Sequence, residues 1–378
     1  MSKRYLKNFC FNGLMLQVES PDKSHLIWLE EFLCPQFEVI DRTSSYHCKV
    51  RLIIDDNRYK HLRKIGSIKN NQTIDAFAFD SRMIRLPILK SNENSLCIYH
   101  KKEKVFYTIN SDRTKVQIIS PKKNKAVRKA AMRVIREFVM NHSHRRGDLI
   151  IHGAAFSVGN KGVILAGPKG SGKTTLLLHV LLQSKSSFVG NDRVLVNYDT
   201  KGPVLHGVST IISIKPKTLG YFQGYFRTPI PGLNKYHLTL NETKSETNQF
   251  PKTSILAPLS ISPTQFCRLV QVKSQASASL KAIVFTKITS RIGKIRLREL
   301  SPNTSARRVR DCLFRADFIR LKSSVFDLAI DNKYLDRETL VEKCQRLSSH
   351  IRFFECRLGP KAYKDESLAK ELIEFVLK

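Results

Sequence analysis

Gly167-Pro168-Lys169-Gly170-Ser171-Gly172-Lys173-Thr174 is the stretch that decides how this chain folds. It is entered from an apolar run, Val163-Ile164-Leu165-Ala166, and left through Leu176-Leu177-Leu178-His179-Val180-Leu181-Leu182. Buried strand, glycine-rich turn, helix: that order is the frame of a phosphate-binding loop. Glycines at its first and sixth positions let the backbone wrap an anion with its N–H groups turned inward. The helix that follows adds the partial positive charge of its N-terminus. The pattern predicts Lys173 on the β- and γ-phosphates and the Thr174 hydroxyl on Mg²⁺. The nucleotide-binding segment then runs from Gly167 through Pro168, Lys169, Gly170, Ser171 and Gly172 to Thr175. ATP and Mg²⁺ are the expected ligands.

The rest of the composition sets limits. A chain of 378 residues with 42% hydrophobic, 26% charged and 9% aromatic residues has material for a substantial core and one large or two ordinary domains. Its 65 Lys and Arg exceed its 32 Asp and Glu, a formal charge of +33. That excess favours anionic partners (nucleic acid, an acidic membrane surface or an acidic protein), or else reflects a background drift of composition toward Lys and Arg. The 8 cysteines are scattered with no CxxC pair, as in a reducing compartment. No apolar run approaches the roughly 20 residues of a membrane span. The basic start has an apolar part broken at Asn12-Gly13, unlike a cleaved leader. A cytoplasmic protein with no membrane span is expected.

Before the loop, residues 1–118 read as a mostly β unit. Strands are predicted at Leu14–Val18, Cys48–Ile54, Thr73–Phe79, Met83–Leu89, Ser95–His100, Val105–Ile109 and Val116–Ile119. A short helix is expected at His25–Leu33, and turns at Asp55-Asp56-Asn57, Asn92-Glu93-Asn94 and Ser111-Asp112. A helix from Pro121 to near Asn141 puts Val127, Ala131, Val134, Ile135 and Phe138 on one face. Lys122, Lys125, Lys129, Arg133 and Arg136 lie opposite, read as a solvated stripe. Leu149–Phe156 reads as one strand, joined by a hairpin at Gly159–Gly162 to the strand before the loop.

After the loop helix, Ser187–Val196 reads as strand, polar turn and strand, with Asp192 in the turn where a Mg²⁺-organising carboxylate belongs. Leu219–Pro251 carries Tyr221, Phe222, Tyr225, Phe226, Arg227, Lys235 and Tyr236, fit to cover an acceptor, to stack bases, or to pack on itself. Leu280–Phe285 reads as a buried strand and Lys294–Leu300 as an edge strand. Neither ends in the carboxylate usual after the second strand of a phosphate-loop nucleotide site, which leaves Asp192 as the candidate acid. Helices are expected at Ser305–Ser323, Asp336–Ser348 and Asp365–Leu377, with a strand at Ile351–Leu358.

His152-Gly153, the loop Gly167–Thr174 and Val189-Gly190-Asn191-Asp192-Arg193-Val194 together resemble the catalytic domain of HPr kinase/phosphorylase and its relatives. The resemblance implies an α/β fold: an HPr-kinase-like P-loop catalytic domain over 121–378, after a smaller, mostly β N-terminal domain over 1–118. It implies that Lys173 and Thr174 serve the phosphates and Mg²⁺, that Asp192 is general base or metal ligand, and that His152 tunes that acid. It also implies a homo-oligomer. The family's acidic pair is here Asn191-Asp192, so Asn191 offers the metal an amide oxygen but takes no proton. The family's glycine-rich second signature is not found, which argues against HPr itself as the substrate. Arg193 is a phosphate clamp or an ion-pair partner, and Lys287 and Arg291 are further candidates to neutralise charge.

The expected function is therefore an ATP-dependent kinase acting on a hydroxyl of a protein or peptide, Ser or Thr, or of a small molecule. An RNA-directed kinase or nucleic-acid-binding NTPase, and a non-catalytic nucleotide-binding scaffold, are the alternatives.

Overall fold

The computed structural model describes residues 3–41, 45–65, 72–77, 83–92, 95–122, 124, 126–222, 225, 259–313 and 337–378. These form a mixed α/β protein that divides into two compact units, one up to Arg145 and one from Arg146 onward.

In the first unit, strands β1 (Tyr5–Phe11), β2 (Leu14–Ser20), β3 (Glu38–Ile40), β4 (Cys48–Ile54), β5 (Thr73–Phe77), β6 (Met83–Asn92), β7 (Ser95–His100), β8 (Val105–Asn110) and β9 (Lys115–Ser120) make one sheet. Their order is β3-β1-β2-β4-β9-β8-β7-β6-β5. Period-two burial makes these strands: Leu14, Leu16 and Val18 of β2 point inward while Met15, Gln17 and Glu19 lie between. Helices α1 (Lys23–Leu33), α2 (Asp56–Ile65) and α3 (Ala126–Arg145) pack on the sheet.

Three expectations change here. The turn expected at Asp55-Asp56-Asn57 opens α2, because Asp55 Oδ1 accepts the Arg58 N–H at 3.0 Å. An Asp that caps a helix and an Asp that makes a turn look alike in sequence. The helix expected to open the second domain, α3, instead packs on β4 and β9 of the first. Its basic stripe is not all solvated either. Arg133 is 1% exposed, gripping Glu103 through its two terminal guanidinium nitrogens at 2.9 and 2.5 Å and donating to the Tyr107 hydroxyl at 2.8 Å.

The second unit contains β10 (Leu149–Ile151), β11 (Gly153–Val158), β12 (Lys161–Ala166), α4 (Lys173–Gln183), β13 (Ser187–Gly190), β14 (Val194–Asp199), β15 (Gly202–Gly207), β16 (Ile212–Ile214) and α5 (Pro216–Phe222). It continues with β17 (Leu259–Ile261), α6 (Pro263–Val270), β18 (Ser277–Ile288), β19 (Ile295–Glu299), α7 (Pro302–Asp311), α8 (Arg337–His350), β20 (Arg352–Leu358) and α9 (Leu368–Leu377).

The main sheet runs β10-β14-β15-β18-β12-β11-β13, with β20 added to β18 and β19 to β20. β12 and β18 are parallel, and β12 is buried on both faces. Val163 and Leu165 pack toward α4, α6 and α9, while Ile164 and Ala166 join a second core containing Val309 of α7 and Leu347 of α8. A strand covered on both sides reads as an unbroken apolar run, which is why it is visible in the sequence.

Leu149–Phe156 is not one strand. β10 pairs with β14, β11 pairs with β12 and β13, and the chain bends at His152 between them. Of the aromatic-basic segment, Phe226, Arg227, Lys235 and Tyr236 lie outside the described residues, as does the end of the helix expected at Ser305–Ser323. Among the described residues no helix is long and apolar enough to cross a membrane.

Candidate functional site

The loop between β12 and α4 is built from its glycines. Gly167, at φ +142°, has no room for a side chain: a Cβ there would stand 2.8 Å from Ser171 Oγ and 2.9 Å from Thr286 O. Ser171 Oγ and Thr286 Oγ1 share a hydrogen bond of 2.8 Å, and Thr286 Oγ1 donates to Ala166 O at 3.2 Å, tying the loop to the end of β18. Gly172 caps α4 at φ +96°. Lys173 folds back under the loop and donates to Gly167 O at 2.7 Å and Pro168 O at 3.0 Å. An ammonium has three donors, so one remains for an anion in the loop. Burial lowers the Lys173 pKa, against the opposing pull of Cys312 and Asp192.

The Asn191-Asp192 turn between β13 and β14 stands beside it. Asp192 adopts φ +73°. The turn is held from behind: Thr210 Oγ1 donates to Asn191 O at 2.7 Å, and Val208 N to Arg193 O at 3.2 Å. Gly207 lets β15 pass close under it, since a Cβ there would lie 1.8 Å from Val189 O. Across the gap, Thr174 Oγ1 donates to Asn191 Oδ1 at 3.3 Å.

His152 arrives from the bend between β10 and β11, fixed by its N–H to Cys312 O at 2.8 Å. Its Nε2 stands 3.6 Å from Asp192 Oδ1, a contact too long for a hydrogen bond. Burial, then the Lys173 charge, lower the His152 pKa more than Asp192 raises it, so the imidazole is neutral at pH 7 and the contact is not an ion pair. Arg193, wholly buried, points Nε at Asp192 Oδ2, 3.6 Å away, in the geometry of an ion-pair partner.

These residues share one cleft of about 520 Å³. His152, Lys169, Gly170, Gly172, Lys173, Thr174, Thr175, Asn191 and Asp192 line it together. Of the other expected site residues, Gly167 and Ser171 lie behind its surface as supports of the loop, and Pro168 contributes its carbonyl to Lys173. Lys287 and Arg291 are not among the lining residues.

The cleft also takes in Tyr221, named in the sequence as fit to cover an acceptor, and Lys215, Lys217, Ile288, Thr289 and Tyr363, which sequence reasoning did not place there. Lys215 and Lys217 flank the proline that opens α5, and no spacing ties them to the loop. Thr218 Oγ1, 3.2 Å from Thr175 Oγ1, docks α5 on the first turn of α4 and brings them in.

Chemically, the cleft offers the glycine-rich turn at Gly170 and Gly172, the charges of Lys169, Lys173, Lys215 and Lys217, and one carboxylate, Asp192, among the described lining residues. It suits a polyanion beside a single acid. No protein-family model matches this sequence, and no curated protein does.

Proposed function

We propose that this chain is an HPr-kinase-like, Mg²⁺-dependent phosphotransferase that moves the γ-phosphate of ATP onto a hydroxyl acceptor in the cytoplasm. One observation carries the reading: the glycine-rich loop and the Asn191-Asp192 turn, on separate strands, meet through the 3.3 Å Thr174–Asn191 contact. Phosphoryl transfer asks a protein for positioned phosphates, charge neutralisation and one group to orient the nucleophile. Loop, lysines and carboxylate meet that requirement.

The donors around Thr174 suit Mg²⁺: a hydroxyl, the Asn191 amide oxygen and the Asp192 carboxylate are all hard oxygens. Among the described residues there is no cluster of three His, Cys, Asp or Glu able to cage an ion. Mg²⁺ bound with nucleotide needs none, because one or two side chains and the phosphates hold it. When bound it would offset phosphate charge. Asp192 takes the acceptor's O–H proton as the new O–P bond forms and the bond to the ADP oxygen breaks. Neutral His152 stands beside that carboxylate without adding a second charge, and Lys173 holds the terminal phosphates.

The test is transfer of radiolabelled γ-phosphate from ATP to peptide, metabolite and total-RNA pools, by intact protein and by Asp192→Asn side by side. Label appearing in one pool with the intact protein and not with the variant supports the reading. ATP binding without transfer to any pool leaves a non-catalytic scaffold. The lysines of the cleft favour one second reading, an RNA acceptor, which label in the RNA pool would select.

A further inference from the structure

Beyond the loop's last glycine the cleft changes character. Tyr221 on α5 and Ile288 at the end of β18 both line it, and both stay open to solvent, 39% and 50% exposed. Tyr221 rests on the ring of Tyr363, centroids 5.6 Å apart, and Tyr363 is braced by His179 on α4. This surface starts at the loop itself: a Cβ on Gly172 would lie 2.6 Å from Tyr363 Oη and 3.4 Å from Ile288 Cγ1. The acid end lies elsewhere. Thr210, shortly before β16, bonds the Asn191 carbonyl; Thr218 then bonds Thr175, and Tyr221 reaches Tyr363. The segment from Thr210 to Tyr221 thus runs from the Asn191 carbonyl past the first turn of α4 to the apolar Tyr363 end.

We propose that Tyr221 and Ile288 are the two faces of a nucleobase platform, and that the base is held by its faces and not by its edges. This rests on the phosphate-site reading above. A flat, uncharged ring tethered to phosphates in the loop is the group whose chemistry fits exposed aromatic and aliphatic surface beside an anion cradle. At that end, among the described residues, no Asp, Glu, Asn or Gln side chain lines the cleft. The polar side chains there, Thr289 and Ser290, carry hydroxyls that turn to donate or accept. They cannot tell an amino from an oxo substituent. With these side chains at that end among the described residues, the proposed platform selects a nucleotide by its phosphates and accepts any base.

The experiment measures affinity for ATP, GTP, CTP, UTP and inorganic tripolyphosphate by calorimetry. The proteins compared are the intact chain, Tyr221→Ala, Tyr221→Phe, Ile288→Ala and, as the phosphate-site control, Lys173→Ala. The four nucleotides are expected to bind the intact chain alike. Tyr221→Ala should weaken all four by roughly tenfold, leave tripolyphosphate unchanged, and be restored in Tyr221→Phe, because the ring and not the hydroxyl makes the contact. Strict preference for one base, or unchanged nucleotide affinity in both alanine variants, overturns the platform while leaving the phosphate site intact. Failure of the intact chain to bind tripolyphosphate, or equal binding by Lys173→Ala, overturns the phosphate site and the platform with it.

Discussion

Replacing Asp192 by Asn tests the proposed chemistry with the least disturbance. Asp192 sits at φ +73°, a left-handed conformation that Asn adopts as readily as Asp. Alanine there would add roughly 1–2 kcal/mol of backbone strain, so it is the poorer probe. The amide keeps the shape of the carboxylate and removes its charge from His152 and Arg193, each 3.6 Å away. The Asp192 side chain is 30% exposed, so water screens part of the change. Arg193 is wholly buried and loses part of its counter-charge, and a folding cost of about 1–3 kcal/mol follows. The effect on transfer is larger. A positioned general base is worth about 10²–10⁴ in rate. No second carboxylate lines the cleft among the described residues to take over the proton. A loss of about 10³ in transfer rate is expected, which is about 4 kcal/mol of barrier, with ATP affinity measured without Mg²⁺ no weaker. The assay is initial-rate transfer of labelled phosphate, with thermal midpoint and ATP dissociation constant measured on the same preparation. Transfer within about tenfold of the intact protein, with the variant folded and its ATP affinity unchanged, would refute a catalytic role for Asp192.

Other substitutions probe the supports. Gly172→Ala forces a side chain into φ +96° and against Tyr363 Oη, 2.6 Å away, and should cost about 1–3 kcal/mol and weaken ATP binding. Tyr363→Phe in the same chain should recover part of that loss, because the phenol oxygen is buried with no hydrogen-bond partner among the described residues; calorimetry of single and double variants checks both. In the first unit, Arg133→Ala removes the cation from Glu103 and Tyr107 and should cost about 3–5 kcal/mol, read as a lower urea midpoint. His206 titrates at about 4, held below 6.5 by burial first and then by the Arg146 charge. Its folded pKa is depressed, so the unfolded chain binds the proton first. Folding stability should fall by up to about 3 kcal/mol as pH drops from about 6.5 to about 4. His206→Gln should flatten that part of the pH profile.

Much of the local structure is legible in the residues themselves. Gly167–Thr174 between an apolar strand and an apolar helix, the alternation of Leu14–Val18 and the strand-turn-strand at Ser187–Val196 each depend on neighbours a few positions apart. Backbone preference and hydrophobic period act over that range. The proposed acid, Asp192, and the proposed anion cradle are picked out for the same reason.

Tertiary structure decides who meets whom. His152 reaches Asp192 because the chain changes strand partners at a bend that reads in sequence as the middle of one strand. Arg133 looks like surface on a helical wheel and is buried, because Glu103 and Tyr107, which satisfy its guanidinium, come from β8 and the turn before it. Lys215 and Tyr221 join the cleft through one threonine pair, Thr175 and Thr218, far apart along the chain. Hydrogen bonds within a strand, turn or helix turn are written into a short stretch, whereas sheet order and helix docking follow from the burial of the whole chain. No short stretch contains that information.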